Sequence, residues 1–311
     1  MKQDHTFLDL PNASPDAANV IILPLPFEGT VSYGSGTASG PASILEASTQ
    51  VELWDEELNY DLDCLKYHTA APQSYCEKTD SPEEYLGKVF ESVLSYHGQK
   101  KQSDKKLIVG LGGEHSLTPP LVMAAAQNQH DLSDLTVIQI DAHADLRAEY
   151  DSSPYSHACA MRRIVEKGAS LIAIGIRSAE REEFEYGLQS GLVNTFFAQQ
   201  LAEKKSIEDW LIQTLKNVKG SVYLTIDVDG LESNLSPATG TPQPGGLGWW
   251  QVLSYLRVLL RSNLDCQLIG ADIVETVPQS GTQVNEFTSA RLLYKVISYY
   301  FCRNENQSFR E

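Results

Sequence analysis

Segments typical of buried strands alternate with segments typical of helices along nearly the whole 311-residue chain. Continuous apolar runs such as Asn19 to Leu25 and Leu107 to Leu111 predict strands that are buried on both faces. Amphipathic segments such as Pro82 to Tyr96 lie between these runs and predict helices. The alternation predicts an α/β fold in which helices cover both faces of a parallel sheet. Because no linker or internal repeat interrupts it, we expect one domain over residues 1–311, with 1–18 as a peripheral N-terminal extension.

Acidic and histidine side chains follow four of the predicted strands, at the point where each strand ends. The strand over Thr136 to Ile140 runs directly into Asp141-Ala-His-Ala-Asp145, and three other strands end in the same kinds of residue. Ligands of parallel sheets bind beyond the carboxyl ends of the strands, so we expect these side chains to meet at one edge. The residues concerned are His115, Asp141, His143, Asp145, Asp227, Asp229 and Glu275.

The alternating pattern of Asp141, His143 and Asp145 predicts a metal site. In an extended chain every second side chain points the same way, and clustered carboxylates repel one another unless a cation lies between them. The two histidines and four aspartates are too many ligands for one tetrahedral zinc ion, and no thiolate is among them. Two metal ions that share bridging carboxylates fit better, and oxygen-rich sites with some imidazole suit Mn²⁺. The alternative is a solvated polar turn after the strand.

Composition argues against several classes of partner. The net charge of −17 disfavours nucleic acid, because no basic surface would neutralise phosphates, and it favours a small cationic substrate. No apolar run approaches the roughly 20 residues of a membrane span, so we expect no membrane insertion. The five scattered cysteines, and a polar N-terminal region without a signal-like apolar core, favour a reducing, cytoplasmic environment.

The remaining histidines are weaker candidates. His157 begins an apolar helix, where it is either a capping residue or a catalytic group. The others occur in polar or terminal contexts, and we assign no role to His5, His68, His97 or His130.

Five motifs follow one another along the chain: Gly112-Gly-Glu-His-Ser116, Asp141-Ala-His-Ala-Asp145, Thr225-Ile-Asp-Val-Asp229, Pro237-Ala-Thr-Gly-Thr-Pro242 and Asp272-Ile-Val-Glu275. In order and approximate spacing they resemble the arginase/agmatinase (ureohydrolase) family over nearly the whole chain. Two departures are Glu114, where Asp is common, and Glu232-Ser233, which replaces Asp-Pro. The resemblance implies a three-layer αβα fold with a parallel sheet of roughly eight strands. It also implies hydrolysis of a guanidino compound to urea and an amine, by a homo-oligomer that is a trimer or a hexamer.

The resemblance further implies roles for individual residues. Two Mn²⁺ ions per subunit would share Asp141 and Asp227, and a hydroxide held between the ions would attack the guanidino carbon. One ion would be bound by His115, Asp141, Asp145 and Asp227, and the other by Asp141, His143, Asp227 and Asp229. Glu275 would bind the guanidinium group, and Thr241 would help to orient the substrate. His157 would contact the substrate and pass a proton to the leaving amine.

The identity of the guanidino substrate depends on the segment after Asp145. Arg147 stands where arginases resemble one another in an Asn, and the surrounding residues look like those of agmatinases, which cleave agmatine to putrescine and urea. Guanidinobutyrate, guanidinopropionate and arginine remain alternatives, because Arg147 would suit a carboxylate. Two further alternatives are a metal-binding homologue without catalysis and a deacetylase-like amide hydrolase with a single zinc ion.

Overall fold

The structure is a computed structural model that describes residues 5–97, 105–127, 131–204, 206–216, 218, 220–262 and 264–302. Eight strands of these residues form one sheet in which every pairing is parallel, and two short strands, β2 and β3, form a separate antiparallel hairpin. In chain order the strands are β1 (Val20–Leu25), β2 (Trp54–Asp55), β3 (Tyr60–Asp61), β4 (Tyr67–Thr69), β5 (Leu107–Gly112), β6 (Leu135–Ile140), β7 (Ser170–Ile176), β8 (Val193–Phe197), β9 (Gly220–Asp227) and β10 (Cys266–Val274).

The order of the strands across the sheet is β4–β1–β5–β10–β9–β6–β7–β8. Four neighbouring strands in its middle, β5, β10, β9 and β6, are the ones that precede the candidate site residues. Because they all run in the same direction, their carboxyl ends open at one edge of the sheet. The fold therefore brings together side chains that are up to 160 positions apart in sequence.

Helices cover both faces of the sheet. Within the described residues the helices are α1 (Gly40–Ser48), α2 (Pro82–His97), α3 (Thr118–Ala125), α4 (Ala160–Val165), α5 (Arg181–Ser190), α6 (Ala198–Ala202), α7 (Ile207–Leu215), α8 (Trp249–Arg261) and α9 (Val284–Phe301). Side chains alternate along each strand, so that Val20 and Ile22 belong to the core cluster that contains residues of α1, α7, α8 and α9, whereas Ile21 and Leu23 belong to the cluster that contains residues of α2, α3 and α4. The predicted parallel sheet between two helical layers is confirmed.

The largest differences from the sequence-based expectations lie near the N-terminal edge of the sheet. The sequence predicts irregular structure over residues 51–80, whereas the structure contains the hairpin and the edge strand β4 there. A three-residue strand with a polar centre, His68, is too short to give a clear pattern. Phe7 and Leu8, inside the expected peripheral extension, are buried, and the Leu8 N–H donates to Ser48 Oγ at 2.9 Å. This part of the extension is packed on the core.

The sequence from Pro119 to Gln129 predicts a helix, and the structure contains α3 there, which begins at Thr118 and ends at Ala125. Residues 128 and 129 and His130 lie outside the described residues. No helix in the described part of the chain combines the length and the apolar character needed to cross a bilayer.

Candidate metal centre

Tight turns after the central strands bring the candidate side chains to the edge of the sheet. Gly113 follows β5 at a position where a Cβ atom would lie 1.9 Å from the Phe27 carbonyl oxygen, so no larger residue fits. Asp145 and Glu275 have positive φ angles of 53° and 65°, which non-glycine residues seldom adopt. The Glu275 N–H donates to the Gly113 carbonyl at 2.7 Å and thereby fixes the end of β10 beside the end of β5.

The first group of candidate ligands surrounds the His115 imidazole. Its Nδ1 atom lies 3.1 Å from Asp141 Oδ2, 3.0 Å from Asp145 Oδ2 and 3.5 Å from Asp227 Oδ2. The His115 side chain is 1% exposed, and Nδ1 forms no hydrogen bond with any described residue. A buried nitrogen that faces three carboxylate oxygens without a hydrogen bond is suited to share a cation with them.

The second group of candidate ligands surrounds the His143 imidazole, which is closer to solvent. Its Nδ1 atom lies 2.9 Å from Asp229 Oδ2 and 3.8 Å from Asp141 Oδ1, and the side chain is 23% exposed. Asp141 therefore belongs to both groups, with one oxygen towards each histidine. Asp227 directs Oδ2 towards His115 Nδ1 at 3.5 Å, while its Oδ1 accepts the Asp229 N–H at 2.9 Å.

The electrostatics of these groups fit a bound cation. Burial, together with the negative charges of Asp145 and Asp229, raises the pKa of Asp141 to about 7. Although burial lowers it, the neighbouring Asp229 carboxylate raises the pKa of His143 to about 9. Burial and the charges of Asp229 and Asp141 raise the pKa of Asp227 well above its usual value. The protein alone thus favours protons at positions where divalent cations would favour carboxylates, and the donor set suits Mn²⁺.

Glu275 lies beside the first group without belonging to it. Its side chain is buried, and its Oε1 accepts a hydrogen bond of 2.8 Å from the His115 N–H. Gly240 leaves room above it, since a Cβ atom there would lie 3.4 Å from Glu275 Oε2. Burial and the charge of Glu114 raise the pKa of Glu275 well above its usual value. A cationic group placed next to this carboxylate would be strongly favoured.

The other predicted residues lie around the same cavity. The Thr241 hydroxyl lies 3.5 Å from His143 Nε2. The His157 N–H donates to Thr30 Oγ1 at 3.1 Å, and His157 Nδ1 lies 3.5 Å from that same hydroxyl and 3.4 Å from Ser156 Oγ. The cavity has a volume of about 300 Å³, and every predicted site residue lines it except Asp141, which is fully buried beneath the others.

Arg147 also lines this cavity. Its guanidinium lies 3.3 Å from Glu180 Oε1 and 4.0 Å from Glu183 Oε2, and it stacks on the Tyr150 ring at 4.9 Å. Among the described residues, Arg147 is the one Lys or Arg that lines the cavity. Its positive charge is already paired with the carboxylates of Glu180 and Glu183.

Comparison with known proteins identifies the family. The sequence model of the arginase family matches residues 18–301. The chain belongs to the arginase family. A relative from Synechocystis sp., named N(1)-aminopropylagmatine ureohydrolase, is 35% identical over 290 residues, which are 92% of this chain and 90% of the relative. The agmatinase of Pyrococcus horikoshii is 33% identical over 93% of this chain and 95% of its own length.

A solved structure confirms the arginase-like fold. The agmatine ureohydrolase of Thermoplasma volcanium superposes with a TM-score of 0.78 at 27% identity, over 93% of this chain and 92% of that one. Members of the arginase family depend on a binuclear metal site, and this chain is an arginase-family ureohydrolase whose named homologues act on guanidino C–N bonds. The candidate metal centre lies at the carboxyl edge of the sheet, where both ligand groups meet.

Several polar residues around the centre of this arginase-family chain were not singled out in the sequence. Gln139, in the apolar strand β6, donates to Asp141 Oδ2 at 2.7 Å and to the His143 carbonyl at 3.0 Å. Arg177 donates to the carbonyl oxygens of Gln243 at 2.8 Å and Pro244 at 2.9 Å, and so ties down the loop after Asp229. The one signal in the sequence that could have identified such a residue is a polar side chain inside a buried strand, and Gln139 shows it.

Glu114, one of the two departures from the family pattern, is also accounted for. It is fully buried, and its carboxylate accepts hydrogen bonds from the N–H and the hydroxyl of Thr30 and from the Ser116 hydroxyl, at 2.7, 2.5 and 2.6 Å. Because Thr30 also accepts the hydrogen bond from the His157 backbone, Glu114 holds the loop that supports His157.

Proposed function

We propose that this ureohydrolase cleaves agmatine to urea and putrescine, and that two Mn²⁺ ions per subunit bind at the candidate metal centre. One observation carries the proposal: Glu275, an anion suited to a guanidinium, lines the same cavity as both ligand groups. A substrate held by Glu275 would place its guanidino carbon next to the metal centre.

The side chains present would hold the two ions in an overlapping set. His115, Asp141, Asp145 and Asp227 would bind one ion, and Asp141, His143, Asp227 and Asp229 would bind the other. The chemistry that the ions supply when bound is activation of water at neutral pH. Four carboxylates balance the charge of two divalent cations, which would offset the burial and the mutual repulsion that raise the pKa values of Asp141 and Asp227.

Glu275 and Thr241 would bind and orient the substrate. A planar guanidinium fits the two oxygens of a carboxylate, and Glu275 is held rigidly because its Oε1 accepts from the His115 N–H. Burial raises the pKa of Glu275 when the cavity holds no cation, and a bound guanidinium would restore its charge. Thr241, which lies beside His143 in the lining of the same cavity, would help to orient the guanidino group.

His157 would supply the proton that the leaving amine requires. An imidazole can both accept and donate a proton, and the His157 ring lines the cavity without belonging to either ligand group. The hydroxyls of Thr30 and Ser156 lie on its Nδ1 side. This arrangement leaves Nε2 as the atom that would face the substrate.

The surroundings of Arg147 favour a guanidine without a carboxylate. A guanidino acid would need a cation for its carboxylate, but Glu180, Glu183 and Tyr150 already engage Arg147. Agmatine instead carries a second positive charge, which suits a chain of net charge −17. The longer guanidine N(1)-aminopropylagmatine, which would leave spermidine, is a second candidate because the Synechocystis relative bears that name.

Urea release tests the proposal directly. The Mn²⁺-loaded protein would be assayed with agmatine, N(1)-aminopropylagmatine, guanidinobutyrate, guanidinopropionate and arginine at equal concentrations. We expect kcat/KM for agmatine to exceed that for each carboxylated guanidine by at least about tenfold. A higher value for N(1)-aminopropylagmatine would move the assignment to that substrate. A preference for a carboxylated guanidine would overturn it and would mean that Arg147 leaves Glu180 on binding.

Metal counting separates the proposal from the two other classes of function. Two bound Mn²⁺ ions without urea release from any guanidine would favour a non-catalytic metal-binding homologue. One tightly bound zinc ion together with amide hydrolysis would favour a deacetylase-like enzyme. We also propose that the protein is cytoplasmic and forms a homo-oligomer, a trimer or a hexamer. Sedimentation of the purified protein would measure the number of subunits.

A further inference from the structure

A buried carboxylate that belongs to neither ligand group lies behind His115. Asp272, on the central strand β10, is fully buried, and three hydroxyl groups surround it. Thr225 Oγ1 lies 2.6 Å from Asp272 Oδ1, and the Tyr223 hydroxyl and Thr118 Oγ1 lie 2.9 and 3.1 Å from Oδ2. These partners come from two different elements, β9 and the start of α3. The sequence motif that ends in Glu275 contains Asp272, but the proposed reaction does not use it.

The direction of these hydrogen bonds follows from counting protons. A carboxylate accepts only, and each hydroxyl has a single proton to donate. Tyr223 and Thr225 therefore direct their protons to Asp272, and the Thr118 hydroxyl lies between Asp272 Oδ2 at 3.1 Å and the Thr225 oxygen at 3.2 Å. The Thr225 oxygen also lies 2.8 Å from His115 Nε2, and because its own proton is already used, it must accept the proton of Nε2.

We propose that Thr225 and Asp272 are positioning residues that keep the proton of His115 on Nε2, so that the lone pair of Nδ1 faces the carboxylates of the metal centre. A neutral imidazole has one N–H, and an acceptor on one nitrogen leaves the other nitrogen free to bind a metal ion. The lack of any hydrogen bond to His115 Nδ1 from the described residues agrees with this tautomer. The inference depends on the metal centre of the proposed function and not on the identity of the substrate.

The backbone of the sheet fixes this arrangement. Thr225 and Asp272 are paired residues on the neighbouring strands β9 and β10, so their side chains stand next to each other on one face. On the other side of β10, Gly110 leaves space, since a Cβ atom there would lie 3.3 Å from Asp272 Cβ and 2.7 Å from Leu121 Cδ1. His115 is thus held by a strand pair in the core instead of by a surface loop.

Metal binding by variants of Thr225 tests the inference without substrate. Thr225→Val keeps the shape of the side chain and removes the hydroxyl, whereas Thr225→Ser restores it. Free Mn²⁺ would be counted by electron paramagnetic resonance during titration of each purified protein. We expect Thr225→Val to bind the ion of the His115 group about 10–100-fold more weakly than the wild type, and Thr225→Ser to bind it within about threefold.

A matched control separates this effect from general loss of stability. Thr214 is a buried threonine on α7 whose hydroxyl bonds to the Trp210 and Leu211 carbonyls. Thr214→Val removes a buried hydroxyl far from the centre, and we expect wild-type Mn²⁺ binding. If Thr225→Val does not fold, Asp272→Asn replaces it, because it removes the charge and keeps the shape. We expect weaker Mn²⁺ binding by this variant too.

The outcomes for the inference and for the proposed function are distinct. Wild-type Mn²⁺ affinity in both Thr225→Val and Asp272→Asn would overturn the inference, whatever the urea assay shows. Weak binding by Thr225→Val with rescue by Thr225→Ser would support it even if no guanidine is hydrolysed. A wild-type protein that binds no divalent metal ion would overturn the inference and the proposed metal centre together.

Discussion

The two histidines of the candidate metal centre are held in different ways. The His115 side chain is 1% exposed and is backed by the Thr225–Asp272 pair in the sheet. The His143 side chain is 23% exposed, and its Nε2 has the Thr241 hydroxyl at 3.5 Å, a long contact from a loop. Both histidines share Asp141, yet one belongs to the core and the other belongs to the wall of the cavity.

This difference indicates a division between a fixed part and an adjustable part of the site. Buried hydrogen bonds in a parallel sheet open rarely, whereas loops change position at much lower cost. The wall that carries Thr241 depends on Arg177, whose donors hold the loop carbonyls of Gln243 and Pro244. We expect metal affinity to depend on the core side and substrate fit to depend on the loop side.

Removal of the shared carboxylate should have the largest effect. Asp141→Ala takes one ligand from both groups, and we expect urea release to fall by at least about 1,000-fold, with weaker binding of both Mn²⁺ ions. Steady-state kinetics and Mn²⁺ titration would measure the two effects. The surface variant Asp63→Ala serves as the control and should behave as wild type. Loss of a single ion in Asp141→Ala would contradict the shared position of this residue.

Neutralisation of Glu275 should separate substrate binding from metal binding. Glu275→Gln keeps an oxygen that can accept the His115 N–H but removes the charge that faces the guanidinium. We expect kcat/KM to fall about 100–1,000-fold, while the Mn²⁺ stoichiometry stays at the wild-type value. If the Mn²⁺ affinity fell as much as the activity, Glu275 would have to be counted among the ligands of the core side.

Acidification should weaken metal binding, because the ligands must lose protons. The Asp229 carboxylate raises the pKa of His143 to about 9, and burial with nearby charges raises the pKa of Asp141 to about 7. Metal and protons compete for these groups, so the apparent affinity rises with pH below each pKa value. We expect the dissociation constant for Mn²⁺ to fall by at least about tenfold per pH unit between pH 6 and 8, as isothermal titration would show. A flat profile would mean that the bound ions do not contact His143.

The same pKa shift has a consequence for the metal-free protein. His143 has a higher pKa in the folded state than in the unfolded state, so its ion pair with Asp229 stabilises the fold fully below about pH 6.5. This contribution is lost as the pH rises towards about 9. Thermal unfolding with a chelator present would measure this. We expect the free energies of unfolding at pH 6 and pH 9 to differ less in His143→Asn than in the wild type.

Loss of the Thr241 hydroxyl should have the smallest effect on metal binding. His143 Nε2 is near solvent, so water replaces the hydroxyl in Thr241→Val. We expect Mn²⁺ affinity within about threefold of the wild type, against the 10–100-fold loss in Thr225→Val. The pair of variants compares the two histidines directly. Equal losses in both would show that the core and the cavity wall hold their ligands in the same way.

The strand ends were predictable from the sequence, because an apolar strand that stops at a charged residue is a local pattern. Asp141, Asp227 and Glu275 each follow such a strand, and a parallel sheet needs no further information to bring them to one edge. The structure places all seven predicted strand-end residues at that edge, and their roles remain predictions.

The residues behind the ligands were not predictable in the same way. Asp272 depends on hydroxyls from two other elements, β9 and α3. Thr225 resembles an ordinary strand residue until its neighbour on β10 is known. The role of Glu114 likewise depends on its hydrogen bonds with Thr30, which is 84 positions away in the sequence. Contacts between distant segments leave no periodic pattern in the sequence. The edge strand β4 was not predicted for the same reason, because it is recognisable mainly through its pairing with β1.

The strand order of the sheet also determines when the site is completed during synthesis. β10 lies between β5 and β9, although it is the last of the described strands to leave the ribosome. All six candidate metal ligands precede it in the chain, but Asp272 and Glu275 arrive with it. Without β10 the other strands cannot form one continuous sheet, because β5 and β9 each pair with β10 and not with each other. We therefore expect the nascent chain to carry a divided sheet, and the insertion of β10 to be the step that encloses the cluster of charges.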